Sequence, residues 1–180
     1  QLLNGGHTTN SGTDWMNFSR AMDPHCLKAC VLHTGLSVVE TARDAGLTES
    51  PDGKQFFGDI NTFLSYSWRS APTGPRTITF AHLVEAIECT LIDLCAHDTT
   101  RRLDSFFLFV DVFVCAQHRG TRPSGTCPNE VDLRQMDRVM SGCDQLLLYC
   151  TPITQPTILT RVWCLYEVML ALKQEIPIVV

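Results

Sequence analysis

The feature that most constrains the fold is an alternation of two kinds of segment from residue 59 onward. Short apolar segments predict four strands, at 60–66, 106–115, 145–151 and 176–180. Longer segments between them carry apolar residues at helical spacing and predict helices at 78–96, 131–140 and 160–173. Because strands that alternate with helices form a parallel sheet with crossover helices, the sequence predicts an α/β fold. The nearly all-apolar stretch 106–115 is expected to be a central strand, buried on both faces.

The first 58 residues follow a different pattern and predict a helical N-terminal extension. Residues 1–12 are polar and rich in Gly, Asn and Thr, so we expect a frayed start. Asp23 and Pro24 suit the cap and first turn of a helix, and apolar positions at helical spacing continue until near Gly46. We therefore expect a helical extension over 1–58 and an α/β domain over 59–180.

The two ends of the sequence predict a piece of a longer intracellular protein. The chain starts on Gln1 without a basic or apolar leader, which predicts no signal peptide, and no apolar run approaches the roughly 20 residues of a membrane span. It ends at Val180 on an apolar strand, after which we expect at least one more helix. Nine cysteines, most of them in apolar segments, are typical of reduced core thiols in a cytoplasmic protein. The cysteines inside apolar segments are Cys89, Cys95, Cys115, Cys150 and Cys164.

The charge distribution argues against a nucleic-acid partner. The net charge is −5, with four basic against six acidic residues in 1–58 and ten against thirteen in 59–180. The longest basic run is the pair Arg101 and Arg102. Proteins that bind DNA or RNA usually concentrate positive charge on one face, so we expect neither as a ligand.

The sequence lacks the common cofactor-binding motifs and offers one candidate metal site. No Gly-x-Gly-x-x-Gly follows the first strand, and neither a Gly-Lys-Ser/Thr loop nor a Gly-x-Ser-x-Gly elbow is present. One candidate zinc cluster comprises His25, Cys26, Cys30 and His33. A single helix seldom supplies four tetrahedral ligands, so buried thiols and surface histidines are the favoured interpretation and no metal is expected.

The most informative polar cluster opens the helix predicted at 160–173. Trp163 and Glu167 are four residues apart and therefore share one helix face. Ligands of parallel sheets bind beside the carboxyl ends of the strands, where this helix begins. An aromatic plane beside a carboxylate can hold a heterocyclic ring and sugar hydroxyls. The structural alternative is that Trp163 packs on the core while Glu167 is solvated or pairs with Arg161.

Three motifs together resemble Toll/interleukin-1 receptor (TIR) domains. Thr62-Phe-Leu-Ser-Tyr-Ser-Trp-Arg69 is similar to their first strand, and Arg161-Val-Trp-Cys-Leu-Tyr-Glu167 to their Trp-Cys-x-x-Glu helix. Phe109-Val-Asp-Val-Phe-Val-Cys-Ala-Gln-His118 is similar to the second strand of a divergent TIR-like branch in protists, algae and fungi. The motifs occur in the expected order, and the similarity covers 59–180.

The resemblance implies a flavodoxin-like sheet, a role in signalling and function through self-association. It also implies cleavage of NAD⁺ at the bond between nicotinamide and ribose, with Glu167 as the catalytic residue. Trp163 and the residues after the first strand, Ser67, Trp68 and Arg69, would then contact NAD⁺, which is a substrate and not a resident cofactor. One carboxylate facing an oxocarbenium-like sugar is enough for this chemistry, because nicotinamide leaves as a neutral molecule.

The sequence also departs from the family pattern, which keeps other functions open. The segment 119–129 is rich in Gly, Pro, Thr and Ser and unlike the loop through which many TIR domains assemble, and 1–58 matches no part of the family. The main alternative is a non-catalytic protein-interaction module within a larger assembly, which a Glu167 that points into the core or pairs with Arg161 would favour. A further alternative is a nucleoside-processing enzyme of similar topology, since a carboxylate that binds ribose suits that chemistry as well as NAD⁺ cleavage.

Overall fold

The computed structural model describes residues 36–67, 80–115 and 134–180, with the side chains of 80 and 81 left aside. The described helices are α1 (Val38–Asp44), α2 (Phe80–His97), α3 (Asp111–Val114), α4 (Met136–Ser141) and α5 (Val162–Lys173). The strands are β1 (Thr62–Ser65), β2 (Leu108–Phe109), β3 (Gln145–Leu148) and β4 (Ile178–Val179). Two 3-10 turns complete the set, at Leu103–Ser105 and Thr157–Thr160.

The four described strands form one parallel sheet in the order β2-β1-β3-β4. Phe63 lies opposite Phe109 on one side and Leu146 on the other, and Leu147 pairs with Val179. Every residue of β1 and β3 is buried, as expected for central strands covered on both faces. The prediction of an α/β fold with a parallel sheet and flanking helices is confirmed.

The described residues fall into two compact units. One combines 36–58 with 110–115 and 134–139, and the other comprises 59–67, 80–109 and 140–180 and contains the whole described sheet. The predicted division into an extension over 1–58 and a domain over 59–180 stays a prediction. The expected helix start at Asp23 and Pro24 lies outside the described residues.

Helix α1, in the first unit, begins with a capping box. Ser37 Oγ accepts a hydrogen bond from the Glu40 backbone N–H at 3.1 Å, and Glu40 Oε2 accepts one from the Ser37 N–H at 2.7 Å. Both bonds satisfy N–H groups that a helix start leaves without an intrahelical acceptor. Ser37 is consequently buried and fixes where this helix starts within the predicted helical stretch.

The prediction of one central strand over 106–115 is wrong in two respects. Only Leu108–Phe109 is a strand, and it lies at one end of the described sheet order. After it the backbone turns into α3, where Asp111 Oδ1 accepts a hydrogen bond from the Val112 N–H at 2.7 Å and its carbonyl accepts one from the Cys115 N–H at 2.8 Å. An Asp at a helix start competes with strand formation, and apolar composition alone does not reveal that competition.

The core of the sheet unit has an aromatic part and an aliphatic part. The rings of Phe63 and Phe109 stack across β1 and β2 with centroids 4.7 Å apart. Leu148, Ile158 and Cys164 form a buried cluster between β3, the second 3-10 turn and α5. This packing fixes the start of α5 against the carboxyl half of the sheet.

At the opposite, amino end of β1 and β3, a chain of side-chain hydrogen bonds joins the two strands. Arg101 Nη1 donates to Gln145 Oε1 at 3.1 Å, and Gln145 Nε2 donates to Thr62 Oγ1 at 3.3 Å. Thr62 Oγ1 donates in turn to Asn61 Oδ1 at 3.1 Å. Because Thr62 and Gln145 are both buried, these bonds satisfy polar groups inside the core and help to fix the register of the strands.

The cysteines follow the sequence expectation only in part. All six that lie in the described segments are free thiols, and Cys115, Cys143 and Cys164 are buried. Cys89 is exposed, however, so its apolar surroundings in the sequence wrongly suggested a core position. It lies on α2, whose outer face also carries other apolar residues such as Ile92.

Among the described residues, no helix is both long enough and apolar enough to cross a membrane.

Candidate functional site

The strand order places the candidate site at the carboxyl ends of β1 and β3. From β1 the chain continues to β2 on one side and later returns to β3 on the other side of β1. The direction of strand order therefore changes between β1 and β3, which makes this pair the switch point of the sheet. Ligands of open parallel sheets bind outside the carboxyl ends of the strands at such a point. Ser65 is the last residue of β1 and Tyr66 follows it, and the Tyr149 N–H donates to the Ser65 carbonyl at 2.9 Å.

The first turns of α5 are hydrogen-bonded to the same end of β1. Arg161, the residue before α5, donates from Nη1 to the Tyr66 carbonyl oxygen at 3.2 Å. The buried Cys164 thiol donates to the same oxygen, with 3.5 Å between Sγ and O. The Tyr66 carbonyl, which lies beyond the end of the strand, thus accepts hydrogen bonds from the start of α5 and from the residue before it.

Glu167 lies one turn further along α5 and is almost fully buried. Its side chain is 3% exposed, and its Oε2 accepts a hydrogen bond from Ser65 Oγ at 2.5 Å. Ser65 itself is 1% exposed. Removing a carboxylate from water is costly unless polar groups replace its hydration, and glutamates are seldom fully buried without a partner. A buried carboxylate at the switch point of a parallel sheet is therefore a functional-site candidate.

Trp163 lies four residues before Glu167, near the surface of the same helix. It is half-buried, and its ring centroid lies 5.7 Å from that of Tyr166 with the planes 34° apart. The two rings make an aromatic surface on the first turns of α5, and Tyr166 is exposed. Such a surface can stack a heterocycle or pack against another protein.

The structure brings together part of the predicted site. Glu167 and Trp163 share α5, and Ser67 follows β1 by two residues and is buried. Trp68 and Arg69 lie outside the described residues. These assignments of role stay predictions.

Ser65 is not among the site residues predicted from sequence, although it provides a direct partner of Glu167. The signal that could have identified it is its place as the last residue of an otherwise apolar central strand. A serine buried at a strand end needs an acceptor for its hydroxyl, and a parallel sheet brings the next crossover helix close to it.

Thiol chemistry has little support in this part of the molecule. Cys150 follows β3 and packs against the cluster of Leu148, Ile158 and Cys164. Burial raises the pKa of the Cys150 thiol, which keeps it protonated at neutral pH and makes it a weak nucleophile.

No group of His, Cys, Asp and Glu side chains that could hold a metal ion occurs within 36–67, 80–115 and 134–180. The candidate zinc cluster of His25, Cys26, Cys30 and His33 lies outside those ranges.

Comparisons with known proteins add no relative: no family model, no curated protein and no solved structure matches this chain.

Proposed function

We propose that this chain contains a TIR-like signalling domain that binds NAD⁺ beside the carboxyl ends of β1 and β3 and cleaves it at the bond between nicotinamide and ribose. Glu167 is the catalytic carboxylate in this proposal. The observation that carries it is the position of Glu167 beside the carboxyl ends of β1 and β3, at the switch point of the sheet, where its carboxylate is bonded to Ser65 on the central strand. The order of the three TIR-like sequence motifs also supports it.

The reaction needs one negative charge in the correct place. The bond between C1′ of ribose and the nicotinamide nitrogen breaks, and its electron pair leaves with nicotinamide, which becomes neutral. The positive charge moves to the sugar as an oxocarbenium-like centre, which the Glu167 carboxylate stabilises. A water molecule then adds to C1′ and loses a proton to solvent, giving ADP-ribose. Protonation of the leaving group is not required, so a single carboxylate suffices.

The remaining site residues have binding roles in the proposal. Trp163 stacks on a ring of NAD⁺, and Ser67 and Trp68 contact the same substrate. Arg69 pairs with the pyrophosphate, for which a guanidinium is well suited. The assignments of Trp68 and Arg69 rest on sequence alone.

The burial of Glu167 adds a condition to the proposal. With 3% of the side chain exposed, ribose hydroxyls reach the carboxylate only after the groups that cover it have moved. Substrate binding is therefore coupled to opening of the site, as in enzymes whose active sites close over the substrate. Assembly of several copies is one way to stabilise an open form, so activity should be assayed at high local concentration.

The test measures the release of nicotinamide from NAD⁺. The protein is clustered at high concentration, and the nicotinamide formed is quantified by chromatography. Glu167→Gln keeps the size of the side chain and removes the charge, and we expect it to lower the rate by about 100-fold or more. The matched control is Glu88→Gln on the exposed face of α2, which should keep the wild-type rate. If wild type and Glu167→Gln release nicotinamide at the same background rate, the proposal is wrong.

A second candidate function, a non-catalytic interaction module, is favoured by the burial of Glu167 in the core and by the outer face of α5. Val162 is 83% and Leu172 65% exposed, with Leu165 and Met169 exposed between them. These positions share one face of the helix, which carries no charged side chain between its two ends. A second copy of the chain could cover this face without burying an unpaired charge.

Sedimentation of the double variant Val162→Glu/Met169→Glu distinguishes the two candidates. Loss of self-association, together with wild-type protein that never releases nicotinamide, would support the interaction module. Self-association that is unchanged in the double variant would exclude this face as the interface between copies.

A further inference from the structure

We propose that Ser65 is the positioning residue for Glu167: its hydroxyl holds the carboxylate ionised and oriented toward the sugar. This inference rests on the proposed function, in which Glu167 acts as a charged group. Ser65 lies on β1, so the hydrogen bond to Glu167 comes from the sheet and not from α5 itself.

The geometry gives Ser65 a direct and well-shielded contact. Its Oγ donates to Glu167 Oε2, and the two side chains are 1% and 3% exposed. The residues are 102 positions apart in the chain, so only the packing of α5 on the sheet brings them together. Water that competes for a surface hydrogen bond has little access to this one.

The position of Ser65 in the fold makes it a rigid donor. It is the last residue of a central strand and pairs in register with Leu148 of β3. Phe63 and Leu64, the residues before it, are buried, and their packing leaves the strand little freedom to move. A donor on a strand fixes its acceptor more closely than a donor on a loop does.

A serine hydroxyl has one proton to donate, so it binds the ionised carboxylate through one oxygen and favours the charged form. If this donor is removed, the buried carboxylate retains the cost of desolvation and loses one of the groups that offset it. The carboxyl group then keeps its proton to a higher pH. A protonated Glu167 cannot stabilise a developing positive charge.

The other titratable groups on the surrounding elements leave this reasoning intact. Neither β3 nor the turn Thr157–Thr160, which pack against α5, contains a titratable side chain. The titratable or charged side chains in the described part of the site include Tyr66, Tyr149, Cys150, Arg161, Cys164 and Tyr166, and Arg161 and Cys164 contact the Tyr66 carbonyl. The substitution of Ser65 by Ala alters none of these side chains.

The experiment compares Ser65→Ala and Ser65→Thr with the wild-type chain. In Ser65→Ala we expect kcat for nicotinamide release at pH 7 to fall about tenfold, and the acid limb of the pH profile to move up by about one to two pH units. Ser65→Thr restores the hydroxyl and should return the acid limb toward the wild-type pH. The matched control is Thr62→Val on the same strand, which removes another buried hydroxyl and should lower stability without moving the pH profile.

A second readout does not depend on activity. In protein with ¹³C-labelled glutamate, the carboxyl signal that disappears in Glu167→Gln belongs to Glu167. We expect this signal to titrate at a higher pH in Ser65→Ala than in wild type, whether or not the protein cleaves NAD⁺. If wild type does not cleave NAD⁺ but the Glu167 signal still titrates at a higher pH in Ser65→Ala, the proposed function is contradicted, whereas the role of Ser65 in holding the charge is supported. An unchanged titration in Ser65→Ala would overturn the positioning role, even in an active enzyme.

Discussion

A double-mutant cycle on Ser65 and Glu167 measures how strongly the central strand holds the buried carboxylate. The cycle comprises wild type, Ser65→Ala, Glu167→Ala and the double variant, each unfolded in urea at pH 7. Hydrogen bonds to charged groups contribute about 1.5–3 kcal/mol to stability, which is more than neutral bonds contribute. Because both side chains are at most 3% exposed, we expect a coupling free energy of about 1.5–3 kcal/mol.

The surface pair Thr100 and Asp98 provides the matched control for this cycle. Thr100 Oγ1 donates to Asp98 Oδ1 at 2.6 Å, so a hydroxyl again binds a carboxylate, but both residues lie near solvent. This bond lowers the pKa of Asp98, and we expect its coupling to stability to be much weaker because water replaces it readily. If the Ser65–Glu167 coupling is no larger than that of the surface pair, the argument from burial is refuted.

Two further predictions concern the sheet unit as a whole. Ile158→Ala should lower the free energy of unfolding by about 2–5 kcal/mol, since Ile158 is fully buried. Leu159→Ala next to it, at an exposed position, should change it by less than about 0.5 kcal/mol, and equal effects in urea titrations would contradict the assigned packing. Burial, together with Asp144, raises the pKa of Cys143 from 9.0 to about 11, so the folded state favours the neutral thiol. The stabilisation that follows is present below pH 9 and is lost as the pH rises through 11. The unfolding free energies of wild type and Cys143→Ala should therefore converge or cross between pH 9 and pH 11.

The sheet could be predicted from sequence where burial alone determines the structure. β1 and β3 are short apolar segments, and both are strands, as the sequence predicts; that they are the buried central strands is shown only by the structure. The stretch 106–115 is equally apolar, but a short helix begins there at Asp111, whose Oδ1 accepts a hydrogen bond from the Val112 N–H. That outcome depends on a local competition between side chain and sheet, which hydrophobic pattern does not record.

The candidate site could be predicted only in the parts that depend on local spacing. The four-residue separation of Trp163 and Glu167 places both on α5, and the strand-end rule places that helix at the edge of the sheet. The burial of Glu167 and its bond to Ser65 depend on how α5 packs on β1, across 102 residues of sequence. Neither periodicity nor composition contains that information.

The most direct test of the central claim is the rate at which clustered wild-type protein releases nicotinamide from NAD⁺, compared with Glu167→Gln at the same concentration. We predict measurable release by wild type and a rate that is lower by about 100-fold or more in the variant. Equal rates in the two proteins, at a concentration where both are folded and clustered, would contradict it.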